Sequence, residues 1–368
     1  MKAKKIFILL PDGVSLRNFA YTSFYAEGKA KGYEIIFWNN TPFDLESLGF
    51  DQIPIRNQKA STLTDILKTA RTRVELRLFE KRDQDAIYQG YLFPLSFRNL
   101  KLTIKSRLIQ WYCWHYRSEK GLNTLRERIK TSERKGSYYI YCKKILEQEK
   151  PDLLFCASQR SVQAIAPVLA STDLSIPTAT FIFSWDNVPK ATTVIETDYY
   201  FAWSDLMKNE LLHYHKYLNK KQIIVTGTPQ FTPHYDKERI LNREDFCKQI
   251  GVASTDKFIC FSGDDITTSP KDELYLRDVA QAARHSAEKG NPFKIIFRRC
   301  PVDFSDRYDA VVRDFQDIIV EVKPLWKKIG EGWNTILPTA EDIDLQVNIM
   351  AHCEGVINLG SSLSLIHI

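Results

Sequence analysis

Glu354-Gly355-Val356-Ile357-Asn358-Leu359-Gly360-Ser361-Ser362 is the stretch that decides how the chain folds. Its apolar run reads as a buried strand, which empties into a turn of small, hydroxyl-bearing residues. A turn of that kind ordinarily opens a helix, whose free N–H groups and positive dipole end suit a phosphate. The sequence stops six residues after Ser362, so the turn is expected to lack its helix and the chain to be a fragment.

The same strand–turn–helix unit recurs upstream. Strands at 5–10, 33–38, 152–156, 177–183, 199–203 and 222–226 alternate with helices at 17–31, 64–81, 95–116, 123–148, 159–170 and 205–213. Gly227-Thr228-Pro229-Gln230-Phe231-Thr232-Pro233 then interrupts the pattern. Beyond it lies a second series, with strands at 257–262, 293–298, 317–322, 334–337 and 355–359 and helices at 271–289, 305–315 and 342–351. Such alternation predicts α/β architecture with parallel sheets. We place a boundary after residue 230, giving domains 1–230 and 231–368 with a helical insertion at about 95–148. Ligands of open α/β sheets bind at the carboxyl ends of strands, so the cleft between two such domains is the expected site.

Composition narrows the class. The 368 residues are 44% hydrophobic and 26% charged, ordinary for a soluble globular chain with room for two cores. No apolar run approaches the ~18–20 residues of a membrane span. Lys4-Lys5 and the apolar run after them superficially resemble a signal peptide, but Pro11-Asp12-Gly13 ends that run as a strand does, which predicts a cytoplasmic protein. The seven cysteines are never spaced C-x-x-C, and Cys142, Cys156, Cys260 and Cys353 sit among apolar neighbours. They read as reduced, buried thiols. His213 and His215 fall on different faces of a helix, so no metal site is expected.

Five strand ends carry the candidate chemistry. Ser184-Trp185-Asp186-Asn187 comes after a wholly apolar strand: Asp186 suits a base or a sugar-hydroxyl partner, Asn187 a donor and acceptor, and Trp185 a stacking surface. An Asp/Asn turn after a strand is an equal reading. Asp12-Gly13, before Arg17 and Asn18, places a possible general base, though Ser15 reads better as a helix cap. Ser262-Gly263-Asp264-Asp265 permits close backbone approach but matches no standard phosphate loop. Arg298-Arg299-Cys300-Pro301 offers guanidinium groups for phosphate; because neighbours alternate sides, one of the two arginines, Arg299, is expected to face a ligand. Gly360-Ser361-Ser362 completes the set.

The net charge of +6 is concentrated. Residues 98–135 hold eleven basic against three acidic side chains, a net of +8, leaving −2 for the rest. Trp111, Tyr112, Trp114 and Tyr116 lie within that segment. Basic and aromatic side chains together suit an anionic membrane surface. A helix with a buried aromatic face and a solvated basic one is the competing reading, and nucleic acid ranks well behind both.

In order, these motifs resemble GT-B glycosyltransferases of the bacterial surface-polysaccharide type. The resemblance rests on Asp12-Gly13 with Arg17-Asn18-Phe19, on Ser184–Asn187, on Val225-Thr226-Gly227-Thr228-Pro229-Gln230-Phe231, on Arg298–Asp303 and on Val356–Ser362. It implies two tandem Rossmann-like domains, the second incomplete here. It implies a nucleotide-sugar donor held by Ser262, Gly263, Arg299, Gly360, Ser361 and Ser362. Asp12 and Asp186 would be catalytic, with Arg17, Asn18, Trp185 and Asn187 on the acceptor side. No metal or cofactor is implied. The acceptor would be a polysaccharide or a lipid-linked glycan, reached from the inner membrane face. A nucleotide-sugar 2-epimerase or a polyol-phosphate transferase on the same fold is the alternative, and a non-enzymatic membrane-surface scaffold lies outside these. The family's acidic residue in the helix after the Gly-Ser turn has no counterpart, and the closing residues 364–368 read like translated adapter. On that reading the chain as given is inactive.

Overall fold

A computed structural model describes residues 3–56, 59–330, 335–361 and 365–366. It divides into two compact units: residues 1–15 with 25–228, and residues 16–24 with 229–368.

The first unit is built on a seven-stranded sheet. Its strands are β1 (Lys5–Leu10), β2 (Glu34–Asn39), β3 (Gln52–Pro54), β4 (Leu153–Cys156), β5 (Thr178–Phe181), β6 (Tyr199–Ala202) and β7 (Ile223–Val225). They lie in the order β3-β2-β1-β4-β5-β6-β7, all parallel. Both faces are covered, which is why β1 is buried from Phe7 to Leu10 without alternation. The order reverses between β1 and β4, the kind of switch point beyond whose strand ends open α/β sheets bind ligands.

The first helices of this chain are short. The sequence predicts one helix over 17–31; instead α1 (Leu16–Phe19) and α2 (Ser23–Ala30) are separated by a break. Thr22 causes it, donating through Oγ1 to the Asn18 carbonyl (2.8 Å) and accepting from the Phe24 amide (3.3 Å). α3 (Thr62–Asp83) precedes the insertion, which holds α4 (Leu100–His115), α5 (Glu119–Arg134) and α6 (Ser137–Glu149). The expected single helix over 123–148 is split because Gly136 adopts an extended conformation ahead of α6. Val74, Leu125, Ile129, Cys142 and Leu146 from these helices pack with Phe7, Leu154 and Cys156 of the sheet and with α7 (Ile165–Asp173). α8 (Asp205–Tyr214) covers the β6–β7 side through Met207 and Leu211.

Gly121 marks a close approach at the α4–α5 corner. Ser118 caps α5 by accepting from the Gly121 amide (3.1 Å), and a Cβ at Gly121 would lie 2.5 Å from the Tyr116 carbonyl oxygen. Gly121→Ala is therefore expected to open the corner and cost about 1–3 kcal/mol, read as a lower urea midpoint.

The second unit carries α9 (Arg243–Ile250), β8 (Phe258–Ser262), α10 (Asp272–Glu288), β9 (Lys294–Arg298), α11 (Asp309–Asp314), β10 (Ile319–Glu321), β11 (Lys327–Lys328), β12 (Ile336–Leu337), α12 (Ala340–His352) and β13 (Val356–Ile357). Four strands form a parallel sheet ordered β10-β9-β8-β13, and β11 pairs antiparallel with β12. Alternate residues face opposite layers: Phe258, Cys260 and Ile296 meet α9 and α12, while Phe261, Ile295 and Phe297 meet α10 and α11. Both units are thus parallel α/β and Rossmann-like.

The strand read as buried is corrected. β13 lies at the sheet edge, and Ile357 and Leu359 are 38% and 60% exposed. Ser362, expected to hold the donor, lies outside the described residues, together with 363, 364, 367 and 368. None of the seven cysteines is in a disulfide, and six of them are buried.

Candidate functional site

In the first unit the loops after β1, β4 and β5 meet at the switch point. Asp12 lies just past β1 and accepts through Oδ1 from the Ser15 amide (3.3 Å) and hydroxyl (3.1 Å). Ser15 is buried, and its hydroxyl also lies 3.4 Å from the Ala157 carbonyl beyond β4. The Asp12 carboxylate thus caps its own turn through one oxygen and is fixed at the end of β1.

The loop after β5 is held by Gln159, a residue the sequence did not single out. Its fully buried amide accepts from the Phe183 N–H (2.9 Å) and donates to Asn187 Oδ1 (3.1 Å). Asn187, itself buried, donates to Asp186 Oδ1 (3.1 Å), as does the Ser184 hydroxyl (2.7 Å). Lys190 closes an ion pair on the other oxygen. Burial disfavours the Asp186 anion, but hydrogen bonds from Lys190 and Ser184 outweigh it and hold the carboxyl below its ordinary value. A carboxylate so committed is a weak proton acceptor, which favours a positioning role over a base. Trp185 is 46% exposed and free to offer a stacking face.

Arg17 and Asn18 belong to the second unit, not to the one holding Asp12. Arg17 donates to Gln230 Oε1 (2.9 Å). Asn18 is fully buried, and its side-chain amide has no partner among the described residues.

At the strand ends of the second unit, the N–H groups of Leu359 and Gly360 converge on one oxygen. That oxygen is Asp264 Oδ2, at 3.1 and 2.9 Å. Two successive backbone donors on a single anionic oxygen form an anion site of the kind that holds phosphate. Burial, helped by Asp272 and Asp265 nearby, pushes the Asp264 carboxyl up, although the two amides pull the other way. The loop around it is stiff. The Asp264 amide donates to Asp272 (3.1 Å), Tyr308 donates to Asp272 (2.7 Å), and Arg307 donates to the Asp264 and Ser269 carbonyls (2.6 Å each).

The remaining donor-side residues divide. Ser262 is buried beside this loop. Gly263 is closely packed: a Cβ there would lie 3.0 Å from the Tyr308 hydroxyl and 3.2 Å from the Phe297 ring. Arg299 does not present a free cation: it pairs with Asp309 (2.7 Å) and Glu321 (3.2 Å). Arg298 is buried against Asp342 (2.7 Å). The Ser361 amide donates to Asn358 Oδ1 (3.0 Å), bracing the turn. Among the described residues no group of three or more His, Cys, Asp or Glu side chains could hold a metal.

No protein-family model and no curated protein matches the chain. Among solved structures it is similar to a candidate UDP-N-acetylglucosamine 2-epimerase from Listeria monocytogenes, with a TM-score of 0.53 and 11% identity over 96% of this chain and 73% of that one. It is similar to UDP-GlcNAc 2-epimerase from Methanocaldococcus jannaschii (TM-score 0.51, 13% identity, 99% and 80% covered). It is also similar to S. aureus MnaA in its structure with UDP (TM-score 0.50, 13% identity, 96% and 73% covered). At these identities the likeness is one of fold: two Rossmann-like domains of the GT-B class, as in UDP-sugar enzymes.

Proposed function

We propose that the chain is a nucleotide-sugar enzyme, and specifically a glycosyltransferase acting on a polysaccharide or lipid-linked acceptor. The observation that carries the reading is the pair of amides, Leu359 and Gly360, gripping an anionic oxygen at the strand ends of the second unit. The diphosphate of a nucleotide sugar would take the place of the Asp264 carboxylate there, with Ser262 and Ser361 beside it. In the first unit Asp12 takes the acceptor hydroxyl proton. The acceptor oxygen then bonds to the anomeric carbon as the bond to the diphosphate breaks, and the diphosphate leaves with the electron pair, stabilised by the two amides. Asp186, Lys190 and Asn187 orient the acceptor, and Trp185 stacks on a sugar ring.

A nucleotide-sugar 2-epimerase is the second reading, favoured by the fold likeness to the M. jannaschii epimerase. One assay separates the two. The protein in its natural full length is incubated with UDP-sugars, with and without a lipid-linked acceptor, and both UDP release and sugar configuration are tracked. Acceptor-dependent transfer that falls about 10²–10⁴-fold in Asp12→Asn, with donor binding retained, is the expected result. Epimerised donor in the absence of acceptor would replace this reading with the second, and neither product would remove both.

A further inference from the structure

α4 has two apolar faces, and only one of them is used. Ile109 and Cys113 turn inward and are buried, whereas Leu100, Ile104, Leu108, Trp111 and Trp114 are 77%, 54%, 43%, 49% and 64% exposed. At 3.6 residues per turn these five fall within an arc of about 120°, a continuous stripe along the helix. Isolated exposed apolar residues are unremarkable, but a contiguous stripe marks a contact surface.

The charge around the stripe says what it contacts. Residues 86–118 contain no Asp or Glu. Arg107 lies within the stripe and Lys101 at its margin; Arg98 is exposed just before the helix. Among the described residues none of these three pairs with a carboxylate. The other eight cations of the basic segment divide: among the described residues Arg117, Lys120, Arg128 and Lys135 also form no ion pair. Lys105, Arg126, Lys130 and Arg134 are each matched by an acid of their own unit. Three of the seven cations without an ion pair thus lie on or beside the apolar stripe, in a stretch that carries no acid to offset them.

We propose that this face of α4 docks on an anionic lipid surface, with the helix lying in the membrane plane. Leucine and isoleucine enter the acyl boundary, the two tryptophans sit at the headgroup level, and Arg98, Lys101 and Arg107 meet lipid phosphates. Among the described residues no helix is long and apolar enough to cross a membrane, so the contact is peripheral. A second copy of the chain fits less well. Twofold pairing across the stripe would set Arg107 against Arg107, with no acid on the helix to offset it. Nucleic acid has no use for the aliphatic part of the stripe.

The test is co-sedimentation of the full chain with phosphatidylcholine vesicles, with or without phosphatidylglycerol, in low and high salt. Binding to the anionic vesicles alone, weakened by salt, is expected. Changing Arg98, Lys101 and Arg107 together to Gln should weaken it on the order of a hundredfold. Ile104→Gln with Leu108→Gln should abolish it at unchanged unfolding temperature. In the native chain, brominated lipid should quench tryptophan emission, and Trp111→Ser with Trp114→Ser should remove that quenching. No vesicle binding, or binding indifferent to these changes, would overturn the proposal. So would a stripe-dependent dimer without lipid, or stripe-dependent RNA binding in place of vesicle binding. None of these readouts needs turnover, so they stand or fall apart from the sugar-transfer reading.

Discussion

Glu75→Ala is expected to destabilise the protein by about 3–5 kcal/mol, the cost of leaving buried cations without their counter-charge. Glu75 is fully buried on α3, 2.8 Å from Arg71 and 2.6 Å from Arg126, with the buried His215 ring at 3.7 Å. Arg71 also donates to the Ala191 (2.7 Å) and Thr193 (2.5 Å) carbonyls. Ala191 holds a left-handed φ of 52°, a conformation that needs such external support. The pair thus anchors the segment just after Lys190, so the variant should also loosen the Asp186 loop. Burial alone would raise the Glu75 carboxyl, but Arg71, His215 and Arg126 bring it down from 4.5 to about 2. A depressed carboxylate stabilises the fold at and above its ordinary value. That stability, roughly 3 kcal/mol for such a shift, drains away as pH falls from about 4.5 toward 2. Urea unfolding at neutral pH measures the loss. Repeating it down the acid range should show the native protein converging on Glu75→Gln.

Asp264→Asn should act in the opposite direction on stability and strongly on binding. In the native chain the Leu359 and Gly360 amides hold the Asp264 carboxylate. Because burial raises that carboxyl, its ionised form at neutral pH costs stability, and the neutral amide removes the cost while its carbonyl still accepts from both N–H groups. The unfolding temperature should therefore rise. A phosphate entering this site faces a like charge, a repulsion of about 4 kcal/mol at 4 Å and an effective dielectric of 20. Asp264→Asn lifts it, so UDP should bind at least tenfold more tightly. Unchanged or weaker UDP binding with a raised unfolding temperature would show that Asp264 is a structural cap and the two amides are not the phosphate site.

The architecture was legible because parallel strands covered on both faces leave uninterrupted apolar runs, as in Phe7–Leu10 and Phe258–Phe261. Elements without such runs were not. β3 is a three-residue edge strand ending at Pro54, which argues against strand on its own. α9 was missed although its signals were present: Asn242 caps it, accepting from the Asp245 amide at 2.9 Å, and Gly251 ends it at a φ of 75°. The breaks at Thr22 and Gly136 depend on local hydrogen bonding that helical periodicity does not register.

The candidate site was legible as a set of strand-end loops but not as a set of contacts. Gln159 and Asp264 are separated in sequence from the residues they hold, so only the fold brings them there, whereas Lys190 lies four residues from Asp186. Arg299 looked like a phosphate ligand because its strand is apolar. Its partners Asp309 and Glu321 come from α11 and β10, and together they neutralise it.

The central claim, that this is a nucleotide-sugar protein, is tested most directly by calorimetric titration of UDP into the full chain. Saturable one-site binding, tightened by Asp264→Asn and unaffected by Ile104→Gln with Leu108→Gln, is the predicted result. No saturable heat with either the native chain or Asp264→Asn would contradict it.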